Sequence, residues 1–140
     1  MSVQISPTFI PLAKADAAIG AAKAKAEEFG VPFTVSIVDA GAHLVAAARQ
    51  DGAALAAVET SQVKARTAVL FGASTKDLAG AVKPGAPLYT IASATAGPLA
   101  FVAGGVPVRD ERGVVIGAIG VGGGSPDQDH EVAEAALAAL

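Results

Sequence analysis

The sequence predicts an α/β sandwich in which a mainly antiparallel sheet of about five strands is covered by helices. Three observations predict this fold class: an alanine-rich segment with helical periodicity near the start, two pairs of β-rich segments that are each joined by a short turn, and a strand–glycine loop–helix junction over Ile116–Ala133. Because a short turn joins only antiparallel strands, the two hairpins exclude a doubly wound parallel sheet. A chain of 140 residues is near the size of one domain, so we expect a single domain over residues 1–140.

The first half of the chain contains two helical patterns separated by a hairpin. Apolar residues recur at helical spacing up to Gly30, which together with Pro32 ends the first helix. Two β-rich segments flank the turn that begins at Asp39, and Gly72 ends the second helix. The predicted elements are helix Ile10–Phe29, strands Phe33–Val38 and His43–Ala48, and helix Ala54–Phe71.

The second half of the chain ends in a hairpin and a capped helix. Ser74 stands where an N-cap would begin a short helix, and Asp110–Gly113 is the turn of the hairpin. Ser125, Pro126 and Gln128 match a capping box with proline at the first helical position. The predicted elements are helix Thr75–Ala81, a loop over Lys83–Pro98 with an extended piece near Tyr89–Ala92, a strand that begins at Phe101–Val102 and resumes over Val106–Arg109, strand Val114–Val121, and a helix to about Leu140.

Composition and charge narrow the classes of function. The net charge is −3 and no basic stripe is interleaved with aromatic residues, so we expect no nucleic-acid partner. The absence of cysteine excludes disulfides, thiolate nucleophiles, iron–sulfur clusters and cysteine-type zinc sites. Hydrophobic residues make up 52% of the chain, but many are alanine and aromatics are only 4%. Because small side chains bury little area each, the core of a lone monomer is marginal and we expect a homo-oligomer.

The opening residues, MSVQISPTFIPL, lack the basic and apolar regions of a signal peptide. No apolar run reaches the roughly 20 residues that cross a bilayer. The sequence therefore predicts a cytoplasmic protein that has no membrane partner.

The glycine run Gly120–Gly124 precedes a helix N-terminus, where free N–H groups and the helix dipole favour an anion. The last hairpin places this run beside Gly104 and Gly105. The run lacks the GK[ST] ending of a phosphate loop and the context of a dinucleotide fold. A structural chain reversal and a site for a carboxylate or propionate both stay open, with a nucleotide site as the weakest interpretation. Asp127 and Asp129 follow in the first turn of the helix, where the dipole alone accounts for acids.

Four other charged residues have both a structural and a functional interpretation. Lys64 has no acid three or four residues away, so it is either a solvated lysine or one that points into a pocket or a subunit seam. Asp39 either closes the first hairpin through an Asx turn or contacts a ligand. Arg49 and Asp51 either pair with each other or cap the next helix, or they belong to a site.

Four stretches of the chain together carry a family pattern. They are VDAGAHLVAAARQDGA (Val38–Ala53), KARTAVLFG (Lys64–Gly72), GGVPV (Gly104–Val108) and GAIGVGGGSPDQDHEVA (Gly117–Ala133). In this order and spacing, over nearly the whole chain, they resemble the GlcG/HbpS family, the haem-degrading-type domain that is also found at the C-terminus of PduO proteins. Gly122 departs from the pattern, because the family often has serine there and glycine removes that hydroxyl group.

The resemblance implies a profilin-like α/β sandwich that assembles into oligomers. It also implies haem binding, and for some members of the family a part in haem degradation or iron handling. Carried onto this chain, the ligand site comprises Asp39, Arg49, Asp51, Lys64, Gly104, Gly105 and the loop Gly120–Gly124 with Gly122, Gly123 and Gly124. The resemblance assigns no axial ligand to the haem iron. The candidates for a lone axial ligand are His43, His130, Tyr89 and Lys64. Neither histidine belongs to a metal-spaced motif, so ordinary surface positions account for both.

A second hypothesis is a cofactor-free enzyme, such as an isomerase, tautomerase or lyase, that acts on a small carboxylate. In that case Lys64 or Arg49 holds the carboxylate, and Asp39 or Asp51 moves a proton. A structural or carrier oligomer without chemistry is the third hypothesis. The first hairpin places Asp39 at the opposite end of its strands from Arg49, so Asp39 and Asp51 share a site only across a subunit interface.

Overall fold

A computed structural model describes residues 10–140 of the chain. The sheet strands are β1 (Thr34–Asp39), β2 (Leu44–Arg49), β3 (Gly105–Arg109) and β4 (Val115–Gly122). The α-helices are α1 (Leu12–Phe29), α2 (Ala56–Phe71), α3 (Thr75–Leu78) and α4 (Pro126–Ala138), and two short 3₁₀ helices lie at Ala79–Val82 and Ile91–Ala94. The first helix, both hairpins and the last helix are therefore where the sequence predicts them.

The sheet has the strand order β2-β1-β4-β3, and every neighbouring pair is antiparallel. This confirms the predicted fold class, but the described residues hold four strands rather than about five. Phe101–Val102 begins no strand, because the Val102 carbonyl accepts a hydrogen bond of 2.6 Å from the Thr75 hydroxyl instead of a ladder bond. The predicted extended piece near Tyr89–Ala92 is also wrong. Bonds from each N–H to the carbonyl three residues earlier wind that segment into a 3₁₀ turn.

Helices cover both faces of the sheet. On one face α1 and α4 pack against each other and against the apolar side of the strands. The side of α1 that faces inward consists of alanines at helical spacing, so the two helices approach closely. The buried alanines of α1 are Ala15, Ala18, Ala22 and Ala26.

The other face of the sheet carries α2, with Thr75 of α3 beside β3, and glycines set the distance of α2 from the strands. A Cβ atom on Gly120 would collide with the Ser61 carbonyl oxygen, and one on Gly105 would collide with the Lys64 carbonyl oxygen. Backbone therefore packs on backbone at the centre of this face, which a side chain at either glycine would prevent. This close approach brings the middle of α2, including the Lys64 side chain, up to the end of β4.

The two ends of the sheet carry different groups. The hairpin end comprises the turns 39–44 and 109–115, which join β1 to β2 and β3 to β4. The glycine end comprises the start of β1, the end of β2 with residues 50–53, Gly104–Gly105 and Gly122–Gly124. Thr34 pairs with Arg49 on one side and with Gly122 on the other, so the glycines and Arg49 share this end. Asp39 lies at the opposite end, as the sequence predicts.

Candidate functional site

Lys64 forms a buried ion pair with Asp129. Lys64 Nζ donates to Asp129 Oδ2 at 2.7 Å and to the Val121 carbonyl oxygen at 3.0 Å. The two side chains are only 6% and 4% exposed. The interpretation of Lys64 as a solvated lysine is therefore wrong. Its acid lies on α4, 65 positions later in the chain, so no spacing within α2 indicates it.

Asp129 also holds the glycine loop. Its Oδ1 accepts a hydrogen bond of 2.9 Å from the Gly124 N–H, while Oδ2 binds Lys64. Burial raises the pKa of the Asp129 carboxyl group, and the hydrogen bond from Lys64 opposes that rise. The helix dipole alone is thus an insufficient account of Asp129, although it suffices for the exposed Asp127. One carboxylate ties α2, the end of β4 and α4 together.

The predicted ligand-binding glycines surround this ion pair, and each has a close protein neighbour. A Cβ on Gly104, whose φ is +128°, would lie 3.0 Å from Lys64 Nζ and 2.7 Å from the Val121 carbonyl oxygen. At Gly123 and Gly124 the nearest atoms belong to the backbone of Pro32 and the ring of Phe33. Gly105 faces the backbone of α2, as described above. Packing accounts for all four glycines, and their contact with a ligand stays a prediction.

Gly122, where the family pattern often has serine, faces α2. A Cβ atom there would lie 2.7 Å from the Thr60 hydroxyl oxygen and 3.3 Å from the Ala57 Cα. The Thr60 hydroxyl therefore occupies the space that a serine side chain at position 122 would enter. The loop thus has no hydroxyl group at position 122, and the Thr60 hydroxyl lies beside that position.

Asp39 closes the first hairpin as an Asx turn. Its Oδ1 accepts from the Gly41 N–H at 2.8 Å and from the His43 N–H at 3.0 Å, which confirms that interpretation. His43 Nδ1 lies 3.3 Å from the same oxygen, and its side chain is 82% exposed. The surface position predicted for His43 is therefore confirmed.

His130 lies in a different environment. Its side chain is 18% exposed, with Nε2 at 3.6 Å from Glu134 Oε1. His130 Nδ1 is buried and has no hydrogen-bond partner within residues 10–140. The predicted surface position is wrong for this histidine, because it faces inward on α4.

Arg49 and Asp51 line a groove of about 610 Å³ between the end of α1 and the end of β2. Lys23 and Glu27 of α1 line the same groove, as do the apolar residues Val31 and Pro32. Across residues 10–140, no ion pair joins Arg49 to Asp51 and neither side chain caps α2. The structural interpretation of these two residues is therefore wrong: both line an open groove.

The predicted site residues thus fall into three places. Lys64 and the glycines surround the Asp129 carboxylate, Arg49 and Asp51 line the groove beside them, and Asp39 lies at the hairpin end. Sequence reasoning missed the role of Asp129. The small neighbours of Lys64 and the absence of a local acid are compatible with a distant partner, but they do not indicate which acid it is.

Sequence reasoning also missed Thr34. This residue at the start of β1 is 2% exposed, and its hydroxyl group has no hydrogen-bond partner in the described part of the chain. Its β-branched side chain is typical of a strand, so no sequence signal marks it.

No helix within residues 10–140 is both long and apolar enough to cross a bilayer. No cluster of three or more histidine, aspartate or glutamate side chains there has the arrangement of a metal site.

The chain is similar in sequence and in structure to several known proteins. Over 120 residues it is 40% identical to the corrinoid adenosyltransferase PduO of Citrobacter freundii, covering 86% of this chain but 36% of that protein, so the chain spans about a third of this relative. The crystal structure of the PduOC:heme complex matches with a TM-score of 0.88 and 34% identity, covering 94% of this chain and 95% of the other. The crystal structure of HbpS matches with a TM-score of 0.84 and 32% identity, covering 99% and 94%.

A family model described as "haem degrading protein HbpS-like" matches residues 10–138, which is nearly all of the part that the structure describes. The resemblance stated from the four sequence stretches is thereby confirmed. The chain belongs to the HbpS-like family.

Proposed function

We propose that this protein binds haem. The observation that carries the proposal is its likeness, over 94% of the chain and at a TM-score of 0.88, to a protein whose structure was solved as a heme complex. Membership of a family described as haem-degrading supports the same function. When bound, haem would supply an iron centre that a protein side chain could ligate.

The hairpin end has side chains that suit haem. His43 is exposed, and the Asp39 carboxylate lies 3.3 Å from its Nδ1, an arrangement that orients the ring and leaves Nε2 for a metal. Exposed Leu44 and Val114 at the same end offer apolar surface to a macrocycle. Arg112, on the adjacent turn, is an exposed cation for a propionate. Lys64 does not suit the iron, because the Asp129 carboxylate and a carbonyl oxygen already hold its ammonium group.

Titration with haemin tests this proposal. We expect a saturable shift of the Soret band at one site per subunit, and its loss in His43→Ala. His130→Ala is the matched control, since it removes the other histidine and should keep the shift. A response that grows without saturation would refute haem binding. An unchanged Soret band in His43→Ala would leave haem binding intact and transfer the ligand role to another residue, with exposed Tyr89 as the next to test.

A part in haem degradation or iron handling is the finer proposal, and the family description supports it. The test is to follow the Soret band of the loaded protein under a reductant and oxygen, with catalase present to remove free peroxide. Loss of the band with release of iron, faster than for haemin on albumin, is the expected result. Equal rates would restrict the function to binding.

A cofactor-free enzyme acting on a small carboxylate is the second candidate. The observation that favours it is the groove lined by Arg49 and Asp51, which has a cation and a carboxylate among its lining residues. Arg49 would bind the substrate carboxylate and Asp51 would move a proton. Lys64 has this role only if it leaves Asp129, and Asp39 lies at the other end of the sheet. Full turnover of a substrate by Arg49→Gln would refute this candidate.

We also propose that the protein is a homo-oligomer. β2 is an edge strand in which half of the residues are exposed and none is buried, and it carries no proline or lysine to block pairing. Exposed Leu44 on β2 and Leu55 at the start of α2 add apolar surface. Sedimentation over a hundredfold range of concentration tests this, and a monomer throughout would refute it.

A further inference from the structure

A long connection before β3 has a defined structure but lies outside the core. Residues 79–102 lead from α3 towards β3, and none of them is buried within the described part of the chain. Connections longer than about 12–15 residues are uncommon in compact domains and usually have a function of their own. The 3₁₀ helix Ile91–Ala94 does not pack closely against any other helix or strand of residues 10–140. Packing within the domain therefore does not account for this connection.

Hydrogen bonds within the connection fix its shape. The Leu88 N–H donates to the Ala81 carbonyl oxygen at 2.9 Å and closes the first part into a loop. The Ser93 hydroxyl donates to the carbonyl oxygen three residues earlier at 2.7 Å. The Thr95 hydroxyl donates to the Gly97 carbonyl oxygen at 3.0 Å. Because these hydroxyl protons are used inside the connection, its outer surface is less polar than its sequence suggests.

Most of the connection is free of charge. From Pro84 to Val108 the sequence contains no lysine, arginine, histidine, aspartate or glutamate. Residues 84–102 are thus a neutral segment, and none of them is buried. Tyr89 and Val102 in this segment are 56% and 47% exposed. Exposed apolar surface without charge is typical of the centre of a protein interface, where charged residues are depleted.

One side of α2 extends this surface. Arg66 Nε donates to the Pro98 carbonyl oxygen at 3.3 Å. The Ala100 N–H donates to the Thr67 hydroxyl at 2.9 Å, so the end of the neutral segment lies along α2. Leu70, one turn after Arg66 on the same side of the helix, is 49% exposed. The neutral segment and this side of α2 together approach the roughly 20–30 residues that each partner contributes to a stable interface.

The lack of charge favours a second copy of this chain as the partner. Around a two-fold axis a surface meets its own copy, so a cluster of like charges near the axis would repel itself. The neutral segment avoids this repulsion, although the chain as a whole has a net charge of −3. Association with a different protein is commonly guided by opposite charges, and the neutral segment offers none.

We propose that the neutral segment and the adjoining side of α2 bind the same surface of a second copy, with Tyr89 and Val102 buried between the two subunits. This inference rests on the proposed homo-oligomer and identifies the surface through which it forms. It differs from pairing through the edge strand β2, which lies beyond β1 on the far side of the sheet from β3.

Tyr89 reports on this contact directly, because the chain has one tyrosine and no tryptophan. Sedimentation of the wild type over a hundredfold range of concentration gives the concentration at which subunits associate. Acrylamide quenching of tyrosine fluorescence is measured over the same range. We expect the quenching constant to fall at least about twofold on association, since the Tyr89 ring passes from an exposed position to the centre of an interface.

Tyr89→Lys and Val102→Lys each place a cation against its own copy, and each should weaken association at least about tenfold. Both side chains are exposed in the subunit, so both variants should keep the far-ultraviolet circular dichroism of the wild type. Leu12→Lys is the matched control. It changes an apolar side chain that is 59% exposed on α1, on the other face of the sheet, and should associate as the wild type does.

Association of the wild type with unchanged quenching of Tyr89 would overturn this inference and leave the homo-oligomer intact. Association of both lysine variants as tight as that of the wild type would have the same consequence. Dissociation by Leu44→Lys in that case would assign the contact to β2. A wild type that is monomeric at every concentration would refute the homo-oligomer itself, and this surface with it.

Discussion

Lys64 on α2 and Asp129 on α4 meet at 2.7 Å beneath Gly104, and both side chains are almost fully buried. Their ion pair joins the helix on one face of the sheet to a helix on the other, across the end of β4. Asp129 in turn holds the Gly124 N–H at 2.9 Å. The geometry of the glycine loop therefore depends on this pair, even though the pair itself is closed to a ligand.

Removal of either partner should strongly destabilise the fold. Asp129→Ala leaves the buried lysine unpaired, and we expect a loss of about 3–5 kcal/mol in the free energy of unfolding. Urea denaturation at pH 7 measures this loss. Lys76→Met is the control, since it removes an exposed lysine that is 3.5 Å from exposed Asp127 and should cost less than about 1 kcal/mol. A loss below about 1 kcal/mol for Asp129→Ala would show that the pair does not hold the fold.

The raised pKa of Asp129 predicts a pH dependence of stability with a definite sign. Because the folded carboxyl group has a higher pKa than the unfolded one, the folded state binds more protons between the two values. The contribution of the Asp129 carboxyl group to stability is thus complete below its pKa in the unfolded state. That contribution is lost as the pH rises through its pKa in the folded state. Lys64→Met removes the cation that opposes this rise, so the decline should extend to higher pH in that variant.

Urea denaturation of wild type, Lys64→Met and Asp129→Asn from pH 4 to pH 8 measures these slopes. Asp129→Asn has no titratable proton at position 129. Its free energy of unfolding should therefore not show this decline with rising pH. A Lys64→Met variant whose stability, relative to Asp129→Asn, does not fall with rising pH would contradict the raised pKa.

Serine at position 122 should be unfavourable in this chain because Thr60 occupies its space. A Cβ atom at position 122 would lie 2.7 Å from the Thr60 hydroxyl oxygen, so we expect Gly122→Ser to cost about 1–3 kcal/mol. Thr60→Ala should remove the clash, so the double variant should regain most of that loss. Thermal denaturation of the four proteins completes the double-mutant cycle. Additive effects of the two substitutions would show that position 122 and Thr60 do not compete for the same space.

Substitution by alanine should have opposite effects on stability at Gly120 and Gly20. Gly120→Ala places a methyl group against the backbone of Ser61, which is unable to move without shifting α2, and we expect a loss above about 3 kcal/mol. Gly20→Ala, on α1 with open space around its Cβ position, should gain up to about 1 kcal/mol. Chemical denaturation of both variants checks the contrast. A Gly120→Ala variant as stable as wild type would mean that α2 does not lie directly on the sheet.

The sequence by itself determined most of the helices and hairpins, because local patterns encode them. Helical spacing of alanines and Gly30 defined the first helix, the Asp39 side chain closed the first hairpin, and Ser125 with Gln128 capped the last helix. Each of these depends on hydrogen bonds or periodicity within a few residues, which is why the sequence predicts them. The predicted strand at Phe101–Val102 failed for the converse reason, since a hydrogen bond from Thr75, 27 positions earlier, holds that segment out of the sheet.

Only the tertiary structure decided which residues form a site. Lys64 finds its acid 65 positions away because glycine backbones let α2 lie directly on the sheet. The Thr34 hydroxyl is buried because the strand order β2-β1-β4 places this residue between Arg49 and Gly122 inside the sheet. Burial and pairing across strands depend on how distant segments pack, and no local spacing encodes them. The sequence therefore determined the elements and the family, and the packing of those elements decided which charged and polar groups are available to a ligand.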